Sequence, residues 1–138
     1  MLKKVLEVYK SSELPVNIES IIKDYNITLI KADLWQVDWL FYKNTIWVNS
    51  ILSKEKQRFT IAHEFCHYLL KETWFSKWIY HSKDLKEKRA DEFATKLLLP
   101  KKAILEAYKE FWNIPTISEM FQVPVKVVEM RLNNLLNN

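Results

Sequence analysis

Apolar residues recur every three or four positions in the first part of the chain. Residues 2–10 show this spacing, and residues 16–25 repeat it directly after Pro15. Side chains at that spacing line one face of an α-helix, and proline is accepted at the start of a helix but not in its interior. The pattern therefore predicts two short N-terminal helices.

After residue 26 the helical spacing gives way to short segments rich in β-branched and aromatic residues. Residues 27–31, 37–42 and 45–49 have the length and composition that are typical of strands. Lys43 and Asn44 lie between the last two segments and fit a hairpin turn, because asparagine tolerates a left-handed backbone. The sequence predicts a small three-stranded sheet, mixed or antiparallel.

Helical spacing returns beyond the sheet. Ser53 is the expected N-cap of a helix that runs to about Lys71. Residues 84–99 are predicted to form a second long helix, which Pro100 ends. The two helices are long enough to pack together beside the sheet.

The C-terminal residues are also predicted to be helical, with a break at 113–116. Beyond the break the pattern is typical of a helix-turn-helix. Thr116 and Glu119 are predicted to form a capping box, and Pro124 suits the first turn of the last helix.

Length and composition limit the class of protein. The 138 residues, 49% of them apolar, suffice for a single α+β domain, with a core region at 1–100 and a helical extension at 101–138. One cysteine excludes an intrachain disulfide, and the N-terminus lacks the apolar run of a signal peptide. No segment has the length and apolarity of a membrane span. These features predict a cytoplasmic protein that does not enter the membrane.

Charge and glycine content exclude further classes. The net charge of +4 is spread along the chain, which gives only weak support to nucleic-acid binding. The chain contains no glycine, so a P-loop and a dinucleotide-binding fingerprint are excluded.

Two of the three histidines lie four residues apart, in the pattern His63-Glu64-Phe65-Cys66-His67. On a helix these two positions are about 40° apart around the axis, so both imidazoles project from one face and can bind one metal ion. Glu64 lies about 100° from His63, where a general base could act on water at the metal. Chance spacing is the alternative, but average frequencies of histidine and glutamate make it rare. The pattern predicts a site for one zinc ion.

A catalytic zinc site requires a third protein ligand and one open position. The helix at 84–99 offers two carboxylates, Glu87 and Asp91, one turn apart on the face that is expected to pack inward. Because a carboxylate facing a core needs a cation, Glu87 is predicted to be the third ligand. Asp91 is predicted to accept a hydrogen bond from a ligand histidine. The alternatives are that Glu87 is a solvated partner of Lys83, or that Glu92, on the polar face, takes its place.

Four segments occur together in a fixed order, namely residues 46–49, 59–67, 87–94 and 97–100. In this combination they resemble the ImmA/IrrE family of metallopeptidases, over about residues 15–136. The resemblance implies a minimal zincin core of the gluzincin kind, with a zinc-dependent endopeptidase activity.

The resemblance also implies roles for individual residues and a class of substrate. His63, His67 and Glu87 are implied as zinc ligands, Glu64 as the general base and Asp91 as the hydrogen-bond partner of a ligand. Family members characteristically cleave helix-turn-helix transcriptional repressors, which switches on mobile-element, prophage or stress-response genes. The implied partner is therefore a protein substrate of that class.

Weaker signals surround the motif. Cys66 stands where the family usually has glycine, and it is not expected to be a ligand. His81 or Tyr80, between the two ligand helices, could donate to the oxyanion, although a surface role is the alternative. The aromatic residues at 74–80 are interpreted as core, with a substrate pocket or a docking surface for a partner protein as the alternatives. A substrate peptide is expected to pair with an edge of the small sheet, with residues 45–49 as the candidate strand.

Two other functions stay open on the sequence alone. The chain could be a regulatory protein that binds a repressor partner without turnover, or a DNA-binding regulator that uses the C-terminal extension. Residues 101–138 carry five basic and four acidic residues, and Glu129 lies where phosphate would be repelled. The extension is therefore interpreted as a packing or repressor-docking element, and direct binding to nucleic acid is not expected.

Overall fold

A computed structural model describes residues 2–8, 13–71 and 83–137 of the chain. These residues form seven helices and three strands, which confirms the expected α+β class. The helices are α1 Leu2–Val8, α2 Ile18–Asp24, α3 Lys54–Lys71, α4 Lys83–Leu98, α5 Lys101–Phe111, α6 Ile114–Phe121 and α7 Val125–Leu136. The strands are β1 Thr28–Ala32, β2 Trp39–Tyr42 and β3 Thr45–Asn49.

The three strands form one mixed sheet in the order β1-β3-β2. β1 runs parallel to β3, and β2 runs antiparallel to it through a hairpin. Lys43 and Asn44 in the hairpin turn have φ of 46° and 57°, so both residues adopt the left-handed conformation that a tight two-residue turn requires. Because β3 is paired on both sides, the expectation that a substrate peptide pairs with 45–49 is wrong.

β2 starts two residues later than expected, and Asn49 accounts for the difference. The buried Asn49 amide donates hydrogen bonds to Val37 O at 2.9 Å and to Trp35 O at 3.3 Å. Its Oδ1 accepts from Ile51 N at 3.2 Å. These contacts hold residues 35–37 as a loop over the end of the sheet instead of extending the strand.

The core lies where α3 packs against β3 and α4 packs against α3. Ile46 and Val48 of β3 are fully buried, as are Ile61 and Phe65 of α3. The Phe65 ring contacts Phe93 of α4 at a centroid distance of 6.0 Å. The Ser53 side chain accepts from Lys56 N at 3.2 Å, which confirms Ser53 as the N-cap of α3.

The C-terminal helices share the same core. Buried residues of α5, α6 and α7 belong to one apolar cluster with those of α3 and α4, among them Ile104, Phe121 and Leu132. The expected capping box at Thr116 is wrong, because α6 begins earlier and Asn113 is its N-cap. The Asn113 side chain accepts from Thr116 N at 3.0 Å.

Within the described residues, no helix combines the length and the apolar character that crossing a bilayer requires.

Candidate metal centre

His63 and His67 project from the same face of α3. Their Nε2 atoms lie 3.0 Å apart, and their rings are 4.7 Å apart at 70°. Both side chains are largely buried, at 12% and 15% exposure. One turn of helix therefore brings two imidazole nitrogens to a single point at the edge of the core.

Glu87 reaches the same point from α4. Its Oε2 lies 2.9 Å from His63 Nε2, and its Oε1 lies 3.1 Å from His67 Nε2. The carboxylate thus faces both imidazoles at once, although 24 residues separate it from the first of them. This contact does not fit the alternative of a solvated glutamate turned toward its own helix.

The three side chains fit a zinc ion in both chemistry and spacing. His63, His67 and Glu87 can each offer one ligand atom to a common point, and two imidazoles with one carboxylate form a donor set of catalytic zinc sites. Zinc bonds of 2.0–2.1 Å at tetrahedral angles separate ligand atoms by about 3.3 Å, close to the 2.9–3.1 Å seen here. A metal ion would bind the unprotonated imidazole nitrogens and the carboxylate together, whereas without one the same distances allow hydrogen bonds between them.

Asp91 holds the outer side of His63. Its Oδ1 lies 2.7 Å from His63 Nδ1, and because a carboxylate only accepts, the Nδ1–H is the donor. The bond directs the other ring nitrogen, Nε2, toward Glu87 and His67. One turn further on, the Thr95 hydroxyl donates to Asp91 O at 2.7 Å.

The two carboxylates of α4 do not point into the core, which corrects the expected inward orientation. The Glu87 side chain is 47% exposed and the Asp91 side chain is 53% exposed. The buried part of this face is formed by Ala90 and Ala94, which are both inaccessible to solvent. The cluster therefore lies at the rim of the α3–α4 interface, where both carboxylates are partly exposed to solvent.

Glu64 lies next to the cluster on the core side of α3. Its side chain is only 2% exposed, and its Oε1 lies 3.9 Å from His63 Nε2. That distance keeps Glu64 outside the ligand cluster yet within one water molecule of it.

Cys66 faces the interior and takes no part in the cluster. The residue is fully buried, and burial, reinforced by the nearby Glu64 and opposed by Arg89, raises the pKa of its thiol to about 12. Cys66 is therefore not placed to join His63, His67 and Glu87 around a common ion.

Three of the expected features lie outside the described residues. These are His81 and Tyr80, considered as oxyanion donors, and the aromatic segment at 74–80.

One residue of α3 had no role on the sequence alone. Arg58 of α3 donates from Nε to Gln122 O at 3.0 Å and from Nη2 to Phe121 O at 3.3 Å. Its partners are 63 and 64 residues away along the chain, so no local pattern could have indicated the contact.

Comparison with known proteins identifies a family for this chain. Residues 22–133 match a peptidase family described as the IrrE N-terminal-like domain. Metallopeptidase ImmA of Bacillus subtilis (strain 168) is 29% identical over 155 aligned positions, which cover 95% of this chain and 90% of that protein.

A solved structure shares the fold at low sequence identity. A Mycobacterium tuberculosis transcriptional regulator superposes with a TM-score of 0.70 at 14% identity, over 96% of this chain. The chain spans 46% of the length of that regulator. Because the match covers 96% of this chain, the C-terminal helices are part of the fold that the two proteins share.

Proposed function

Since the chain belongs to the peptidase family of the IrrE N-terminal-like domain, we propose that it is a zinc-dependent endopeptidase that cleaves a helix-turn-helix transcriptional repressor in the cytoplasm. The observation that carries the zinc site is the meeting of three side chains from two helices. His63, His67 and Glu87 bring their ligand atoms within 2.9–3.1 Å of one another.

Each residue of the site has a proposed task. His63, His67 and Glu87 would hold one zinc ion, and Asp91 would keep the proton on His63 Nδ1, so that Nε2 presents its lone pair. A bound zinc ion would supply a Lewis acid that polarises the scissile carbonyl and activates water.

Glu64 is proposed to move the proton during hydrolysis. Its buried carboxylate would take a proton from the attacking water and pass it to the leaving amine. The Glu87 and Asp91 side chains are about half exposed, so the substrate backbone would approach the site from their side. The Glu64 side chain is almost fully buried, which would keep bulk water away from it.

Glu64→Gln tests the catalytic part of the proposal. The variant replaces a base by an isosteric amide, so we expect it to bind zinc as the wild type does and to cleave nothing. Peptides derived from a whole proteome serve as substrate, and mass spectrometry counts the new termini. Glu92→Gln, a change on the exposed face of α4, is the matched control and should cleave normally. Full cleavage by Glu64→Gln would contradict the proposal.

The repressor as substrate rests on the family resemblance and needs a test of its own. The wild type and Glu64→Gln are expressed beside a reporter gene under a helix-turn-helix repressor from the same genome. Cleavage predicts derepression and a shortened repressor with the wild type only. Derepression by both proteins with an intact repressor would favour the alternative, a regulator that acts by binding alone.

One basic residue of the C-terminal extension is not available to the DNA-binding alternative. Arg131, a basic residue of the last helix, is buried and donates from Nε to Leu99 O at 3.1 Å. Its guanidinium therefore cannot reach a phosphate without leaving the core, which supports a packing role for the C-terminal helices.

A further inference from the structure

A partly buried arginine, Arg58, and a buried one, Arg131, connect the C-terminal helices to the two helices that carry the proposed metal ligands. The first is Arg58 on α3, five residues before His63 and about 7.5 Å from it along the helix axis. It donates to Phe121 O, on the last residue of α6, and to Gln122 O, on the C-cap that follows. A cation at a helix C-terminus satisfies carbonyls that have no partner within the helix.

The second arginine makes the reverse connection. Arg131 belongs to α7 and donates to Leu99 O, directly after the end of α4. Burial lowers the pKa of both arginines. Two cations that are partly withdrawn from solvent must keep their carbonyl acceptors, because an unpartnered buried charge is strongly unfavourable.

The two arginine contacts complete a closed series of helix–helix connections around the site. α3 is joined to α6 by Arg58, α6 packs on α7, and α7 is joined to α4 by Arg131, while α3 and α4 also pack directly. We name this arrangement the arginine bracket. It links the start of the helix that carries His63 and His67 to the end of the helix that carries Glu87.

We propose that Arg58 and Arg131 are positioning residues of the metal centre: through the C-terminal helices they fix the relative placement of α3 and α4, so that Glu87 meets His63 and His67 at ligand distance. The inference rests on the proposed zinc site. It assigns the C-terminal helices a part in building that site, beyond packing or docking.

The physical reason is the tolerance of metal coordination. A ligand set on two separate helices binds zinc well only if the helices hold their spacing to a few tenths of an ångström. Direct packing of α3 on α4 combines the ring contact between Phe65 and Phe93 with the small Ala90 and Ala94, which offer little side-chain interlock of their own. A second connection through α6 and α7 adds a restraint on the sliding and tilting of the two helices.

The test measures zinc affinity in folded protein. Arg58→Gln and Arg131→Gln are compared with the wild type by competition with a chelator, well below the unfolding temperature and with circular dichroism to verify folding. We expect each to weaken zinc binding about tenfold, the low end for residues that act on a ligand through another group. The double variant should be no more than about threefold weaker than either single one, because one break already opens the bracket.

Matched controls separate positioning from stability. Val128→Ala removes buried volume from α7 but leaves both arginine contacts in place, so it should lower the unfolding temperature and keep wild-type zinc affinity. Lys126→Gln removes an exposed charge of α7 and should change neither quantity. Where Arg131→Gln fails to fold, Arg131→Lys replaces it. Lysine keeps a donor but not the Nε geometry, and we expect an intermediate loss of about threefold.

Failure of this inference differs from failure of the zinc site itself. His67→Ala in the same assay must lose zinc binding if the site exists, and wild-type affinity of that variant would overturn the proposed function. If His67→Ala loses zinc while the folded arginine variants bind within twofold of the wild type, or lose no more affinity than Val128→Ala, the arginine bracket is overturned and the zinc site stands.

Discussion

Asp91 Oδ1 accepts a hydrogen bond from His63 Nδ1 at 2.7 Å, while Nε2 of the same ring lies 2.9 Å from Glu87 Oε2. One imidazole is thus held between two carboxylates of α4 that are separated by a single helical turn. Because Glu87 and Asp91 are four residues apart on α4, one carboxylate contacts each nitrogen of the His63 ring. Their spacing therefore determines that Nε2 is the nitrogen that faces the ligand cluster.

This relationship predicts the effect of Asp91→Ala. Without its acceptor, the His63 ring loses its fixed tautomer and orientation, and we expect zinc affinity to fall about 10- to 100-fold. Chelator competition measures the change. Glu92→Ala, the next residue but on the exposed face of the same helix, should bind as the wild type does. Equal affinities for the two variants would mean that Asp91 does not orient the histidine.

Replacing Cys66 is expected to leave zinc affinity unchanged, although this residue adjoins His67. Its thiol is buried and stays protonated, with a pKa raised to about 12, so Cys66→Ala should keep zinc affinity within about twofold of the wild type. The same burial should make the native thiol unreactive toward iodoacetamide until urea unfolds the chain. A large loss of zinc in Cys66→Ala would instead identify the sulfur as a ligand.

The start of α6 provides a test of local structure. Asn113→Ala removes the side chain that accepts from Thr116 N, and we expect a loss of about 1 kcal/mol in the free energy of unfolding. Urea denaturation measures it. Thr116→Ala is the control, because its side chain has no capping role at this position, and it should lose less. A larger loss for Thr116→Ala would restore the capping box expected on the sequence alone.

The loop over the sheet depends on one buried amide. Asn49→Ala leaves Trp35 O, Val37 O and Ile51 N without their side-chain partner, and we expect about 2 kcal/mol of destabilisation. Asn134→Ala, at an exposed position of α7, should change the unfolding free energy by less than about 0.5 kcal/mol. Similar losses in the two variants would show that Asn49 does not organise the loop.

The elements that the sequence predicted well are those whose signals are local. Ser53 and Lys71 bound α3 as expected, since a cap residue and the end of an apolar periodicity lie within one helix. That His63 and His67 project from the same face of α3 likewise follows from helical geometry alone. Glu87 was predicted to lie beside the histidines because it shares a face of α4 with Ala90 and Ala94, and small residues favour close packing of two helices. Asp91 is the other carboxylate on that face.

The features that could not be predicted from the sequence depend on contacts between segments that are far apart along the chain. β3 is the central strand because β1 pairs with it in parallel on one side and β2 pairs with it on the other. The composition of a strand does not show which strands it will pair with. The half-exposed state of Glu87 and Asp91 depends on where the α3–α4 interface ends. The contacts of Arg58 and Arg131 join residues 32 to 64 positions apart, and an arginine in a helix normally indicates a solvated face.

The most direct test of the account is a zinc titration of the metal-free protein beside His67→Ala and Glu87→Ala. The account predicts one zinc ion per wild-type chain. Each variant should bind at least about 100-fold more weakly, because losing a ligand outweighs losing a hydrogen-bond partner of one. Wild-type affinity in Glu87→Ala, with a folded protein, would contradict the claim that α3 and α4 together form the metal centre.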